Sequence, residues 1–264
     1  MWRHGHDGCA AMMVAMRAAA AWLVALTVAA SAALGAEQVD LALVLAADVS
    51  RSVDAAKFHL QREGYVQAMT DPRVIEAIKS GPHGRIAVCF IEWSGVASQK
   101  LVVDWSLIAD AESARQFSDG IVEAPRSFAD RTAISAGIDF AVAQLARAPY
   151  APTRRVIDIS GDGTNNSGRD VMAARDEAVA KGLTINGLAI LSDAPLIWNP
   201  EHTNPPGGLP EYYRHNVVGG PSAFVMVAQD FASFGQSLIK KLIAEIATSV
   251  PSRQGILMPA AARP

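Results

Sequence analysis

Cysteine is almost absent from this chain. Its 264 residues hold two, Cys9 and Cys89, and Cys9 falls in an N-terminal stretch that reads as a removable leader. A single remaining thiol makes no intramolecular disulfide, so the fold must rest on a hydrophobic core. Cys89 lies within the apolar run Ile86-Ala87-Val88-Cys89-Phe90-Ile91 and reads as a small buried hydrophobe, not a reactive thiol. No Gly-rich phosphate loop and no G-x-G-x-x-G motif follows the first strand, which removes the main support for nucleotide binding. There is no basic patch with interleaved aromatics, and the formal charge is −3, so nothing points to nucleic acid. The longest apolar run, residues 18–30, is short for a membrane span, and no second one follows.

That run has its own reading. Arg3 and Arg17 give a positive start, the apolar core follows, and Ala33-Leu34-Gly35 offers a small-residue cleavage site. These are the parts of a secretory signal over residues 1–36. An uncleaved N-terminal anchor is the other reading. The expectation is a periplasmic or secreted protein with one domain over 37–250, long enough to bury a core. Residues 251–264 read as a disordered tail.

The chain is organised around residues 39–52, VDLALVLAADVSRS. Apolar residues at successive positions suit a strand covered on both faces. The run stops at Asp48, Ser50 and Ser52. Burying Asp48 at a strand end is costly unless something pairs with its charge. The Asp-x-Ser-x-Ser spacing brings hard oxygens onto one short loop, as magnesium-like ions require. A serine there also serves as an ordinary helix cap.

Further strands are expected over 85–93, 99–105, 154–160, 183–190 and 223–227. The first two of these form an antiparallel hairpin across a short gap. Helices are expected over 53–70, 110–121, 132–147, 169–181 and 231–247, with one or two turns near 74–78. Residues 192–221, rich in proline and glycine, read as one long loop of the kind that is functional or mobile. Alternating strands and helices give an α/β fold: a Rossmann-like, mostly parallel six-stranded sheet with one antiparallel edge strand and helices on both faces. Sites in such sheets form at the carboxyl ends of strands. Asp48, Ser50 and Ser52 arrive there, with Asp162 after the fourth strand and Thr132 at the start of a helix. An all-oxygen set of two carboxylates and three hydroxyls favours magnesium, manganese or calcium over zinc.

These three segments, in this order, resemble the metal-ion-dependent adhesion site of von Willebrand factor type A (VWA) domains. The resemblance covers roughly residues 38–249. Details such as Val156-Ile157-Asp158-Ile159-Ser160-Gly161-Asp162-Gly163, Tyr212-Tyr213 and Val218-Gly219-Gly220-Pro221 resemble a bacterial branch known only as a domain of unknown function. The resemblance implies that Ser50, Ser52 and Thr132 contact the ion directly or nearly so. Asp48 and Asp162 act largely through water, and a protein partner's carboxylate completes the shell. It implies a monomeric, non-enzymatic binding domain. One departure is Ser-Gly-Asp-Gly, where the wider family more often has Thr-Asp-Gly. Asp158 is the competing carboxylate, but its place inside the strand favours Asp162.

The rival class is a magnesium-dependent phosphatase of the haloacid-dehalogenase type, with Asp48 as nucleophile. Its second acid would stand at Ser50, so no group protonates the leaving oxygen. Lys57, Lys79 and Lys100 are the cations available for a phosphate. A VWA fold with a purely structural metal is the other alternative. His202 and His215 read as packed or solvated histidines, with a zinc site near the long loop as the sharper alternative. Trp198, Tyr212 and Tyr213 read either as a partner-binding lip or as anchors that pin the loop to its own domain.

Overall fold

The computed structural model describes residues 35–247 apart from 193–195 and 198. The tail, Trp198 and all but the last two residues of the expected leader lie outside the described residues. In chain order the elements are β1 (Glu37–Asp48), α1 (Ala55–Thr70), α2 (Pro72–Lys79), β2 (Ile86–Trp93), β3 (Gln99–Ile108), α3 (Ala111–Glu123), α4 (Ile134–Ala146), β4 (Tyr150–Gly161), α5 (Val171–Ala180), β5 (Thr184–Ile190), the short turns α6 (Pro200–Thr203) and α7 (Leu209–Tyr212), β6 (Val225–Ala228) and α8 (Phe234–Ala247).

Side-chain alternation along β1 explains its composition. Leu41, Leu43, Leu45 and Ala47 enter one core; Ala42, Val44 and Ala46 enter the other. Successive strand residues point to opposite faces, so a strand at the centre of a covered sheet needs apolar residues at every position. The first core takes Tyr65, Met69, Phe117, Phe234, Leu238 and Leu242 from α1, α3 and α8. The second takes Ile134, Ile138, Ala174 and Ala178 from α4 and α5.

The strand order is β3-β2-β1-β4-β5-β6. β1 with β2, β4 with β5 and β5 with β6 are parallel. β3 runs antiparallel to β2 at one edge. The sheet, its edge strand and the helices on both faces agree with the sequence expectation. The order reverses between β1 and β4, which opens a crevice at their carboxyl ends.

Local chemistry sets the helix starts. The carboxylates of Asp54, Asp71, Asp110 and Asp170 each accept a backbone N–H in the first turn of α1, α2, α3 and α5. Two expectations need correction. Residues 192–221 are not one plain loop, because Pro200 and Pro210 stand at helix starts, where a missing N–H costs nothing. A π-helical turn follows over Tyr213–Val217. β4 begins at Tyr150, ahead of the expected 154; Pro152 is tolerated because pairing with β5 starts only at Val156.

A buried ion pair braces the end of β2. Arg62 of α1 pairs with Glu92 and also donates to the Ile121 carbonyl. The second Glu92 oxygen accepts the Ser127 N–H at 2.9 Å. Helix α1, strand β2, helix α3 and the loop leading to Thr132 therefore share one anchor. Among the described residues no helix is long and apolar enough to cross a membrane.

Candidate metal centre

Strand β1 delivers Asp48 to the crevice with no exposed surface. The chain then continues along β2 through Val49 N–H to the Trp93 carbonyl at 2.9 Å. It curls back because the Ser50 N–H donates to Asp48 Oδ1 at 2.7 Å. The Ser50 and Ser52 hydroxyls lie 3.0 Å apart, and Ser52 donates to Asp162 Oδ1 at 2.5 Å. Arg126 holds the outer side of this loop, donating to the carbonyls of Val49 at 2.7 Å and Ser50 at 2.9 Å.

Asp162 follows the last residue of β4 and is also fully buried. Gly161 and Gly163 on either side are space requirements. A Cβ at 161 would lie 2.6 Å from the Tyr213 hydroxyl and 3.0 Å from Asp48 Oδ2. A Cβ at 163 would lie 2.3 Å from His202 Nε2. The departure at Gly161 thus accommodates Tyr213, while Gly163, which the Thr-Asp-Gly pattern shares, accommodates His202. Gly161→Ala is expected to cost about 1–3 kcal/mol, read by urea unfolding; an unchanged midpoint would mean that the phenol moves aside freely.

Thr132 arrives from the loop before α4 and is held through its backbone. Its N–H donates to Asn166 Oδ1 at 2.9 Å, and its carbonyl accepts the Asn166 N–H at 2.8 Å. Its hydroxyl meets His202 Nε2 at 3.2 Å. Thr132 makes no hydrogen bond with the other four candidate residues, but it shares a cavity of about 240 Å³ with Ser52, Asn166, His202 and two arginines, Arg51 and Arg131.

The electrostatics of the site are unbalanced. Burial, and then the facing Asp162, push the Asp48 carboxyl up to about 8. Among the described residues, Asp48 Oδ2 and the Tyr213 hydroxyl have no hydrogen-bond partner. Arg126 lowers the Asp48 carboxyl only in part, and Lys57 serves Asp162: its ammonium donates to the Ser52 carbonyl at 2.8 Å and stands 3.4 Å from Asp162 Oδ2. It comes from the first turn of α1. Sequence reading offered Lys57 only as a phosphate ligand; Lys79 and Lys100 are exposed on α2 and β3.

Asp158 takes no part in this site. It is buried under α8 and pairs with Lys241 at 2.7 Å. Tyr213 is fully buried beneath the site, because the π-helical turn directs its ring into the core, and so offers no lip to a partner. Tyr212 is half-buried, its hydroxyl accepting the Asn165 N–H at 3.1 Å. His215 is exposed and paired with Glu211. His202 is 2 % exposed, and burial lowers its pKa. Its approach to Thr132 had no sequence signal, since 70 positions separate them.

Among the described residues no three His, Cys, Asp or Glu side chains gather closely enough to hold a metal alone. The candidate centre differs in kind, because hydroxyls supply most of its donors. Paired hydroxyls about an octahedral edge apart, an orphaned buried carboxylate oxygen and two facing carboxylates fit a divalent cation.

Residues 38–250 match the family described as protein of unknown function DUF1194. No curated protein matches the chain. Among solved structures, the von Willebrand factor type A protein from Catenulispora acidiphila is 16% identical, with a TM-score of 0.54 over 80% of this chain and 43% of that one. Proximal thread matrix protein 1 from the mussel byssus, solved with a zinc-occupied MIDAS motif, is 14% identical, with a TM-score of 0.54 over 80% and 49%. The pilus adhesin SpaC from Lactobacillus rhamnosus GG is 13% identical, with a TM-score of 0.56 over 80% and 32%. The chain spans less than half the length of each of these proteins. Identities this low establish a shared VWA fold and nothing further.

Proposed function

We propose that this chain, which belongs to the DUF1194 family of unknown function and has a VWA fold, binds one divalent cation and through it holds a carboxylate of a protein partner. The observation that carries this reading is the pair of buried carboxylates, Asp48 and Asp162, facing each other with Asp48 Oδ2 left unpartnered. A cation between them removes the repulsion and satisfies the orphaned oxygen.

Ser50, Ser52 and Thr132 would hold the ion, and Asp48 and Asp162 would anchor it, directly or through water. The bound ion supplies an open coordination position for an oxygen from outside. Arg51 and Arg131 at the mouth of the cavity, against one carboxylate, Asp130, favour an anionic visitor. The ion acts as a bridge and not as a catalyst. Ser50 at the position where a phosphatase needs an acid supports this. The zinc-occupied MIDAS motif of the mussel byssus protein supports cation binding on this fold. Export of the chain, with residues 1–36 as signal, belongs to the same proposal.

Equilibrium dialysis tests it. The wild-type protein is expected to take up one ion per chain from magnesium, manganese, calcium or zinc, and Ser52→Ala none. Acetate at constant ionic strength is expected to tighten ion binding by completing the shell. Equal uptake by Ser52→Ala would remove the site, and indifference to acetate would remove the bridge.

A further inference from the structure

Resting on that reading, we propose that His202 supplies a ring nitrogen to the ion, so that the site takes zinc, cobalt or nickel in preference to magnesium or calcium.

Four observations converge on this residue. His202 is 2 % exposed and lines the same cavity as Ser52 and Thr132. Its Nε2 stands 3.2 Å from the Thr132 hydroxyl. That is at the upper end of the hydrogen-bond range, and also near the roughly 3.0 Å spacing of adjacent donors in an octahedral shell with bonds of about 2.1 Å. The other ring nitrogen is held separately: Nδ1 lies 3.3 Å from the Thr164 hydroxyl and 3.4 Å from the Asn166 amide nitrogen, and the His202 carbonyl accepts the Thr164 N–H at 2.9 Å. Coordination takes the tautomer in which Nδ1–H donates to the Thr164 hydroxyl, which leaves the Nε2 lone pair for the metal. Finally, the ring is seated directly over Gly163, where a Cβ would collide with both Cε1 and Nε2. The residue after Asp162 therefore makes room for an imidazole beside the carboxylate.

The donor chemistry follows. Three hydroxyls and two carboxylates alone form a hard oxygen site suited to magnesium or calcium. One imidazole shifts the set toward the later first-row divalent ions, for which nitrogen is the better donor. His202 reaches the site from α6, where Pro200 starts a turn just long enough to carry it. Segment 192–221 would then be tied to the core by the metal itself.

The test uses the full chain with zinc, cobalt and magnesium alone. Wild-type protein is expected to bind zinc at least about 100-fold more tightly than magnesium, and His202→Gln to lose at least about 10-fold in zinc and cobalt affinity while magnesium affinity stays within about twofold. Wild-type protein with cobalt is also expected to show an exchangeable, paramagnetically shifted proton resonance from the Nδ1–H of a coordinated imidazole, absent in His202→Gln. This signal decides the question even if the variant folds poorly. Equal losses for zinc and magnesium without a shifted resonance would overturn the inference, leaving His202 as a support for Thr132 and the metal bridge intact. No uptake of any ion by wild-type protein would overturn the inference and the bridge together.

Discussion

Lys241→Met is expected to lower the unfolding midpoint of the metal-free protein by about 6–20 °C. Lys241 lies in α8 with no exposed surface, its ammonium 2.7 Å from Asp158 of β4 and 2.5 Å from Glu245 one turn on. Glu245 accepts from the Asn186 amide of β5 at 2.8 Å, and Asn186 Oδ1 accepts the Phe224 N–H ahead of β6 at 3.1 Å. This single cation joins the last helix to the far half of the sheet. Removing it leaves two carboxylates facing each other in a dry interior. Breaking a buried pair costs about 3–5 kcal/mol, and each kcal/mol is worth about 2–4 °C in a domain of this size. Combining Lys241→Met with Asp158→Asn and Glu245→Gln is expected to recover much of the loss, because the stranded charges go with their partner. Urea unfolding of the single and triple variants checks this. A single variant within about 1 kcal/mol of wild type would mean that water reaches the cluster.

The same cluster sets a pH dependence. Burial, and then the neighbouring Glu245, raise the Asp158 carboxyl to about 7. A carboxyl raised on folding binds more protons in the native state, so its contribution to stability is complete below about pH 4 and is lost as the pH rises through 7. Asp48, raised to about 8, acts in the same direction. The capping carboxylates Asp71 and Asp110 are lowered by their hydrogen bonds and act only below about pH 4. The midpoint of the metal-free protein is therefore expected to fall between pH 4 and 8, and Asp158→Asn to flatten that slope. A midpoint that rises over this window would contradict the assignment.

Asp48→Asn is expected to move stability in two opposite ways. Without metal at about pH 9, above the raised Asp48 pKa, the variant melts higher than wild type, because the amide keeps the hydrogen bond from the Ser50 N–H and removes a buried charge opposed to Asp162. With a divalent ion at about 100 times its dissociation constant, the wild-type protein gains about 2.7 kcal/mol, or about 5–10 °C, and the variant gains nothing. Scanning calorimetry in chelator and in metal separates the two effects. An equal metal-induced rise in both proteins would place the ion elsewhere. A variant that melts lower in chelator at about pH 9 would mean that Asp48 holds its proton even there.

Much of this protein was legible along the chain. The uninterrupted apolar run of β1 signalled a sheet covered on both faces, because a strand exposes both sides within two residues. The Asp-x-Ser-x-Ser turn and Asp162 were readable as site candidates because strand ends in an α/β sheet converge by construction; Thr132, at the start of a helix, joined them as the third oxygen-bearing segment of the VWA resemblance. Asp158 and Asp162 were told apart by strand position alone, and the structure puts Asp158 in a separate buried ion cluster. What the chain order concealed were contacts between distant segments. Nothing near Arg62 announces Glu92, nothing near Lys241 announces Asp158, and the prolines of 192–221 read as breakers although two of them start turns. Tyr213 could not be recognised as core, nor His202 as a neighbour of Thr132, because a segment with no period carries no signal of what it packs against. Local pattern determined the elements, the sheet and the loop chemistry, since backbone geometry acts within a few residues. Tertiary structure alone decided which buried charges face each other, why residues 161 and 163 have little room for a side chain, and which side chain of the long segment reaches the site. Those outcomes depend on packing volume and on desolvation, and both arise only when the chain has closed on itself.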